Sequence, residues 1–201
     1  MKYGTGCIKS KLDGTEFVFK SRQMSMPTEY SYIGVMPPIL NQGATSKCVC
    51  YALTAYLDWK KNTLDGGHKG GQFDIDKLYS IREDKNAAGM QIKEALKYLR
   101  HTGLNGMKIN AYAKVGSALA LQQALILNGP CPIGTMVYDE YANTTFWRGR
   151  TSEGGHCTLI VGYNKDGFVI RNSWGTSFGN HGYILMPYND FDSIFEIWTI
   201  Y

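Results

Sequence analysis

Apolar residues recur at helical spacing in the first part of the chain and alternate with polar residues in the second part. The first pattern predicts four helices, over 47–62, 75–83, 91–102 and 117–127. Beyond Pro130 the alternation predicts five strands, over 133–138, 157–163, 168–171, 183–186 and 194–201. Helices followed by antiparallel strands predict an α+β protein whose functional site lies between the two parts.

Residues 1–25 are mostly polar and contain one strand-like run, Glu16 to Phe19. Two interpretations stay open: the run is an edge strand that covers Phe17 and Phe19, or it is the remnant of a pro-segment. We expect an N-terminal extension over 1–25 and one folded domain over 26–201. The sequence shows neither the apolar core of a signal peptide nor a run long enough to span a membrane, so we expect no signal peptide and no membrane partner.

Composition and charge exclude several classes of function. The chain has 201 residues and a formal net charge of +4, but its basic residues form no block of the kind that binds nucleic acid. The histidines are scattered and no pair of thiols recurs at zinc-site spacing, so the sequence predicts no metal and no other cofactor. Five cysteines are an odd number, which favours reduced thiols and a cytoplasmic protein of a bacterial cell or a virus.

Four short motifs carry the chemistry. Asn41-Gln42-Gly43 places its glutamine six residues before Cys48, and two further motifs, Gly154-Gly155-His156 and Asn172-Ser173-Trp174-Gly175, follow later in the chain. Together they supply an amide donor, a sulfur nucleophile, a base and an orienting amide. These groups are what acyl transfer from an amide or ester requires.

In this chain order the motifs resemble those of the papain-like cysteine peptidases, and the resemblance covers the chain from about Met26 to its end. It implies a two-lobe fold with a helical lobe over about 26–115 and an antiparallel, β-barrel-like lobe over about 116–201. The active site would lie in the cleft between the lobes. The implied activity is hydrolysis of a peptide bond in a protein or peptide substrate, through a thioester.

The chain departs from the family pattern around the nucleophile. The family signature C-G-[SA]-C-[WY] is matched by Thr45-Ser46-Lys47-Cys48-Val49, so one disulfide cysteine of the family is absent. The separations from Cys48 to His156 and to Asn172 are 108 and 124 residues, shorter than the family's roughly 130 to 150. Both features resemble the short prokaryotic and bacteriophage members.

The resemblance implies one role for each motif residue. Cys48 would attack the carbonyl carbon, and its place at the start of a predicted helix would favour the thiolate. Gln42 would donate to the oxyanion, His156 would pair with the thiolate and protonate the leaving amine, and Asn172 would orient the imidazole. Trp174 would cover the bond between His156 and Asn172.

Cys50 remains a competing nucleophile, because Cys50-Tyr51-Ala52 also imitates the family's run of cysteine, aromatic residue and alanine. Choosing it would lengthen the gap from Gln42 to eight residues. By resemblance, Gly89 and Met90 would pair with extended substrate backbone. The pocket for the second residue before the cleaved bond would favour an apolar or aromatic side chain, because its expected lining is small or apolar: Ile92, Gly134, Gly154 and Cys157.

Three alternatives stay open at this point. The same cysteine and histidine could transfer an acyl group to an amine instead of water. The chain could also be a catalytically silent binding or structural protein whose cleft is plugged by its N-terminal segment. The change in composition near Ser25 and Met26 prompts the hypothesis that the protein processes itself there. The sequence does not indicate an oligomeric state.

Overall fold

The computed structural model describes residues 3–140, 146 and 148–201, with the backbone alone at 139–140 and 148–150. All four predicted helices are present: α1 (Cys48–Asp65), α2 (Ile75–Ser80), α3 (Ile92–His101) and α4 (Ala118–Asn128). Local side chains fix where α2 and α4 begin. The carboxylate of Asp74 accepts a hydrogen bond from the Lys77 N–H, and the hydroxyl of Ser117 accepts one from the Ala120 N–H.

The described chain forms nine strands: β1 (Cys7–Ile8), β2 (Tyr30–Ser31), β3 (Met90–Gln91), β4 (Tyr112–Lys114), β5 (Cys131–Glu140), β6 (Arg148–Tyr163), β7 (Gly167–Arg171), β8 (Tyr183–Pro187) and β9 (Ile194–Ile200). The five predicted strands correspond to β5 to β9. The four shorter strands were not predicted, because two or three residues are too few to show an alternation.

One antiparallel sheet holds most of these strands, in the order β4, β9, β5, β6, β7, β8, with β2 paired to β6. The α+β class is confirmed. The expectation of a barrel-like sheet is too strong, because the end strands β4 and β8 do not pair in the described part of the chain. The sheet is therefore open.

Both faces of the sheet are buried, and neighbouring residues of β6 and β9 point to opposite faces. Cys157 and Leu159 of β6 and Trp198 of β9 belong to the apolar cluster of α1, α2 and α3. Ile160 and Ile197, one position away, belong to the cluster of α4, β7 and β8. This packing places Cys48, the first residue of α1, against β6.

A buried arginine joins the segment before α1 to the sheet. Arg171, the last residue of β7, donates from its guanidinium to the carbonyl oxygens of Pro37 and Pro38, each at 2.8 Å. The backbone N–H of Gln42 donates to the Ser173 carbonyl at 2.8 Å. These bonds hold the loop that leads into α1 beside the residues that follow β7.

Residues 3–22, which we call the N-terminal arm, run along the surface of the domain. The backbone at Val18 forms an isolated bridge to Lys114 of β4, and Phe17 remains 68% exposed. The ammonium of Lys93 on α3 pairs with the carboxylates of Asp13 and Glu16. No helix among the described residues is long and apolar enough to cross a membrane.

We predict that Gly129→Ala destabilises the fold more than Gly66→Ala. Both glycines follow a helix with positive φ: Gly66 (φ +69°) is in the left-handed helical region, where alanine costs about 1 kcal/mol, whereas Gly129 (φ +106°, ψ −166°) is in a region almost confined to glycine, where the backbone alone costs about 1–3 kcal/mol. A Cβ at Gly129 would also overlap the ring of Trp59, whereas a Cβ at Gly66 would meet nothing within 4 Å. We expect losses of about 3 kcal/mol and about 1 kcal/mol in the free energy of unfolding, measured with urea. Equal losses would show that the Trp59 contact does not constrain the helix end.

Candidate active site

Cys48 is fully buried at the first residue of α1. Its sulfur accepts hydrogen bonds from the backbone N–H groups of Val49 and Cys157, which place it beside the residue that follows His156. Burial nevertheless raises the pKa of the thiol well above its usual value. The charge of Lys47, expected to assist the thiolate, is paired with Asp76 instead.

The competing thiol of Cys50 has a different environment. Its sulfur lies 3.6 Å from the Met90 sulfur and is buried among apolar side chains. Burial raises its pKa to about 12. The structure thus separates the two thiols: Cys48 contacts the backbone next to His156, and Cys50 faces β3.

His156 and Asn172 form a short hydrogen bond, with 2.8 Å between His156 Nε2 and Asn172 Oδ1. The same Oδ1 atom accepts from the Ser173 backbone N–H at 2.7 Å, so this atom acts as an acceptor and His156 Nε2 must be the donor. A neutral imidazole then keeps its lone pair on Nδ1. Trp174 stacks on the ring, with 4.5 Å between the ring centroids.

The side chain of Gln42 is held in one orientation by Ser173. The Ser173 hydroxyl donates to Gln42 Oε1 at 2.6 Å, so the Nε2 end of the amide faces away from Ser173. Nε2 donates to the carbonyl oxygens of Thr45, at 2.7 Å, and of Gly4, at 3.1 Å. Sequence analysis missed the role of Ser173, although the residue stands inside the Asn-Ser-Trp-Gly motif.

The N-terminal arm occupies the site. The Gly4 carbonyl oxygen that accepts from Gln42 also accepts from the indole N–H of Trp174, at 3.0 Å. The ring of Tyr3 stacks on the same indole at 4.7 Å. A peptide carbonyl of the chain itself is therefore bound by the amide donor that the sequence assigned to the oxyanion.

Beyond Gly4 the arm lies in a groove between β3 and β6, which we call the active-site groove. The Gly6 N–H donates to the Gly155 carbonyl of β6, and the Gly6 carbonyl accepts from the Met90 N–H of β3, both at 2.8 Å. A Cβ at Gly6 would lie 2.5 Å from the Ser46 carbonyl oxygen, and one at Gly4 would overlap Thr45. Glycine at these two positions therefore lets the backbone enter the groove.

The closed groove explains the protonation of the two central residues. His156 is fully buried, and burial lowers its pKa to about 4 although its hydrogen bond with Asn172 acts in the opposite direction. With the thiol pKa of Cys48 raised, both groups are neutral at neutral pH. The thiolate–imidazolium pair that the sequence led us to expect is disfavoured while the arm covers the site.

Several of the residues expected to bind substrate contact the N-terminal arm. β3, which contains Met90 but not Gly89, pairs with β1 of the arm in parallel orientation. Of the expected pocket residues, Gly154 faces Thr5, and the Cys157 thiol forms a hydrogen bond with the Cys7 thiol. Ile92 belongs to the same apolar cluster as Cys7. Gly134 is covered by the ring of Phe195.

Sequence analysis also missed Glu196, a buried acid in the groove wall. One carboxylate oxygen accepts from the Trp198 indole N–H at 2.9 Å, and the other accepts from the Ser10 N–H of the arm at 3.3 Å. The signal was present in the sequence, because an acid interrupts the apolar alternation of β9. A buried carboxylate needs donors, and here the arm supplies them from both the side chain and the backbone N–H of Ser10, besides the Trp198 indole.

Comparison with known proteins gives the family of the chain. Residues 41–194 match the family model described as papain family cysteine protease. Cysteine proteinase 3 of Entamoeba histolytica is 26% identical, over 83% of this chain and 65% of the relative. Mouse cathepsin S is 31% identical over 37% of this chain and 25% of the relative. The chain thus spans less than two thirds of the length of these relatives.

Solved structures share the fold. Xylellain, a cysteine protease from Xylella fastidiosa, superposes with a TM-score of 0.85 at 22% identity, covering 99% of this chain and 96% of that one. The Carica candamarcensis protease CMS1MS2, in complex with E-64, gives a TM-score of 0.70 at 21% identity, covering 87% and 98%. At these identities the likeness establishes the architecture alone.

We predict that burial of neutral His156 makes stability depend on pH. Its pKa is about 4 when folded and about 6.5 when unfolded, so below pH 6.5 the unfolded chain binds the proton first. The contribution is complete above pH 6.5, and about 3 kcal/mol is lost as pH falls towards 4. Urea unfolding at several pH values should show this loss in wild type and a smaller one in His156→Gln. Parallel pH curves for the two proteins would contradict the burial of a neutral imidazole.

Proposed function

Because the chain belongs to the papain family of cysteine proteases, we propose that it is a cysteine endopeptidase in which Cys48 cleaves peptide bonds through a thioester. The observation that carries this proposal is the Gly4 carbonyl bound to Gln42 Nε2. A peptide already lies extended in the groove, with its carbonyl on the donor that the reaction would use. The substrate is therefore a protein or peptide with an extended backbone.

Each site residue has a defined step in the reaction. Nδ1 of His156 takes the thiol proton, the sulfur of Cys48 bonds to the carbonyl carbon, and the resulting imidazolium protonates the leaving amine. Water, deprotonated by the same imidazole, then attacks the thioester and releases the acid. Asn172 keeps the proton on Nε2, so the imidazole presents Nδ1 as the base.

The negative charge of the tetrahedral intermediate falls on the carbonyl oxygen. Gln42 donates to it from Nε2, and the Cys48 N–H, unused by the helix at its first residue, donates from the other side. One such donor is worth about 3 kcal/mol of the barrier. Ser173 acts on this step through Gln42, because its hydroxyl fixes which end of the amide faces the oxygen.

Occupation of the groove makes the described state latent. Substrate and arm compete for the same donors, Gln42 Nε2 and the Met90 N–H, so the arm must leave before substrate binds.

Two alternative functions remain. Transfer of the acyl group to an amine would use the same residues and would differ from hydrolysis in the mass of the product. A silent binding protein would keep the fold without reactive Cys48.

We predict that Gly6→Val activates the site without changing any groove residue. A side chain at position 6 would collide with the Ser46 carbonyl, so the arm cannot bind in the active-site groove. An epoxide-type thiol inactivator should label this full-length variant at least about tenfold faster than wild type, once per chain, as followed by mass spectrometry. Gly14→Val is the matched control, because it lies in the same arm at positive φ (+83°, against +139° at Gly6) and so carries a comparable backbone strain, but a Cβ there meets nothing within 4 Å.

Three further variants test the assignment. Labelling of the Gly6→Val chain should disappear with Cys48→Ala, fall strongly with His156→Ala, and persist with Cys50→Ala. Labelling that is lost with Cys50→Ala instead would show that Cys50, not Cys48, is the nucleophile. A folded Gly6→Val chain that is not labelled at all would favour the silent binding protein.

We also propose that self-processing near Ser25 and Met26 is carried out by a second molecule. The backbone of Arg22 exchanges two hydrogen bonds with the side chain of Gln123, at 2.9 and 2.7 Å, and the Pro27 carbonyl accepts from the Tyr163 hydroxyl at 3.0 Å. The segment between these anchors is thus held against α4 and β6, outside the groove of its own chain.

The processing rate should therefore depend on concentration. Intact-mass measurements on wild type and on Gly6→Val should give an initial rate that rises as the square of protein concentration. Cys48→Ala should not be processed alone, but should be cut when mixed with the Gly6→Val chain. A rate per molecule that is independent of concentration would contradict a second molecule, and an unchanged mass in all chains would remove the hypothesis.

A further inference from the structure

The arm carries one cysteine, and its thiol lies against a thiol of the sheet. Cys7 of β1 forms a side-chain hydrogen bond with Cys157 of β6, and both cysteines are buried and reduced. The backbones also meet here. The Gly6 N–H donates to the Gly155 carbonyl at 2.8 Å, and a Cβ built at Gly155 would overlap the Cys7 carbonyl oxygen. Two thiols on contacting backbones are thus held side by side.

The other three thiols have different surroundings. The sulfur of Cys50 lies 3.6 Å from the Met90 sulfur. Cys131 belongs to the apolar cluster of α4, β7 and β8, on the opposite face of the sheet. Cys48 lies near the pair, but its sulfur accepts hydrogen bonds from backbone N–H groups. The sulfur that contacts the Cys7 thiol through a hydrogen bond is therefore that of its partner on β6.

The hydrogen bond gives the two sulfur atoms different roles. Burial raises the pKa of both thiols, and their mutual bond raises that of Cys7 further while it acts to lower that of Cys157. Cys7 is therefore the donor, and a lone pair of the Cys157 sulfur faces the Cys7 sulfur. Burial disfavours a thiolate at this place, whereas a disulfide carries no charge and is not disfavoured. The environment thus suits the oxidised pair.

We propose that Cys7 and Cys157 form an oxidation site, at which a peroxide converts the two thiols into a disulfide that locks the arm in the active-site groove. Gly4 lies three residues before Cys7, so the locked arm keeps the Gly4 carbonyl on Gln42. Formation of the disulfide requires only the fold. Its effect on the reactivity of Cys48 rests on the proposed function.

The oxidation takes two steps. When the arm leaves the groove, the Cys7 thiolate attacks one oxygen of hydrogen peroxide, the O–O bond breaks, and the sulfur is oxidised to a sulfenic acid. The released hydroxide takes up the thiol proton and becomes water. When the arm returns, the Cys157 sulfur attacks the Cys7 sulfur and loses its proton, and the sulfenic hydroxyl leaves as a second water. Two thiols and one peroxide give one disulfide and two waters.

The disulfide would turn a reversible cover into a fixed one. The reduced arm is held by hydrogen bonds that can break and re-form, such as the bond from the Gly4 N–H to the Gly43 carbonyl at 2.9 Å. A covalent bond between residues 150 positions apart restricts the open chain far more than the closed one. Oxidation therefore keeps the site latent, and a thiol reductant releases it.

The bond can be tested without the catalytic thiol. The full-length Cys48→Ala chain keeps four of the five cysteines, and it is treated with about one equivalent of hydrogen peroxide, denatured and alkylated with N-ethylmaleimide. The intact mass should show two labels per chain in place of four. Tryptic digestion without reduction should give the peptide pair that joins Cys7 to Cys157, and dithiothreitol should restore all four labels.

The bound arm should be required for the reaction. In the Cys48→Ala chain, Gly6→Val should lower the yield of the disulfide at least about tenfold, whereas the matched control Gly14→Val should leave it unchanged. Hydrogen exchange then measures the lock. Oxidation should slow exchange of the Gly4 and Gly6 amide protons at least about tenfold, and dithiothreitol should reverse the effect.

Four results would overturn the assignment: four labels after peroxide, a disulfide between another pair or between two chains, oxidation to sulfinic acid without a cross-link, or equal yields in Gly6→Val and Gly14→Val. Amide exchange that is unchanged by the disulfide would overturn the lock.

The effect on the catalytic thiol is a separate measurement. In wild type, peroxide should slow labelling of Cys48 by the epoxide-type inactivator at least about tenfold, with recovery in dithiothreitol. The same loss in Cys7→Ala would come from oxidation of Cys48 itself and would overturn the effect of the lock. If the disulfide forms but the reduced Gly6→Val chain is never labelled, the oxidation site stands and the endopeptidase is overturned.

Discussion

The link between Gln42 and Ser173 is the interaction on which the site depends. Two bonds form it, from the Ser173 hydroxyl to the Gln42 amide oxygen and from the Gln42 N–H to the Ser173 carbonyl. One partner precedes Cys48 by a short loop, and the other directly follows Asn172. The link therefore fixes the helical side of the site against the sheet side, and Arg171 reinforces it from β7. Without this link, the helical side and the sheet side would not hold Gln42, Cys48, His156 and Asn172 in position relative to one another.

The chemistry of the closed state follows from solvent exclusion. With the arm in place, the sulfur of Cys48 and the imidazole of His156 are both removed from water, and each is more stable as the neutral species. The backbone bonds to the sulfur act in the direction of the thiolate but do not outweigh burial. Opening the groove would return water to both groups. The covering segment thus controls their charge as well as access.

Sequence periodicity was sufficient for the elements whose apolar positions repeat over several turns or pleats, namely the four helices and β5 to β9. It could not find β1 or β3, because these strands exist through partners more than eighty residues apart in the chain. For the same reason the motifs indicated the site residues but not what covers them. Gly4 and Gly6 were a usable signal, since alternate glycines in a polar segment indicate a backbone in close contact. Glu196 was another, as a single acid in the apolar strand β9.

The anchor of the arm on Gln123 has a consequence for competition. Because the arm is covalently continuous with the domain and Arg22 is held on α4 by two hydrogen bonds, the residues that fill the groove stay close to it. A segment tethered in this way has an effective concentration of about millimolar at its site, however dilute the protein is. To displace the arm, a free peptide must therefore exceed that local concentration multiplied by the ratio of the arm's affinity for the groove to the peptide's own affinity. Dilution cannot open the groove, and only loss of the tether or of its fit can.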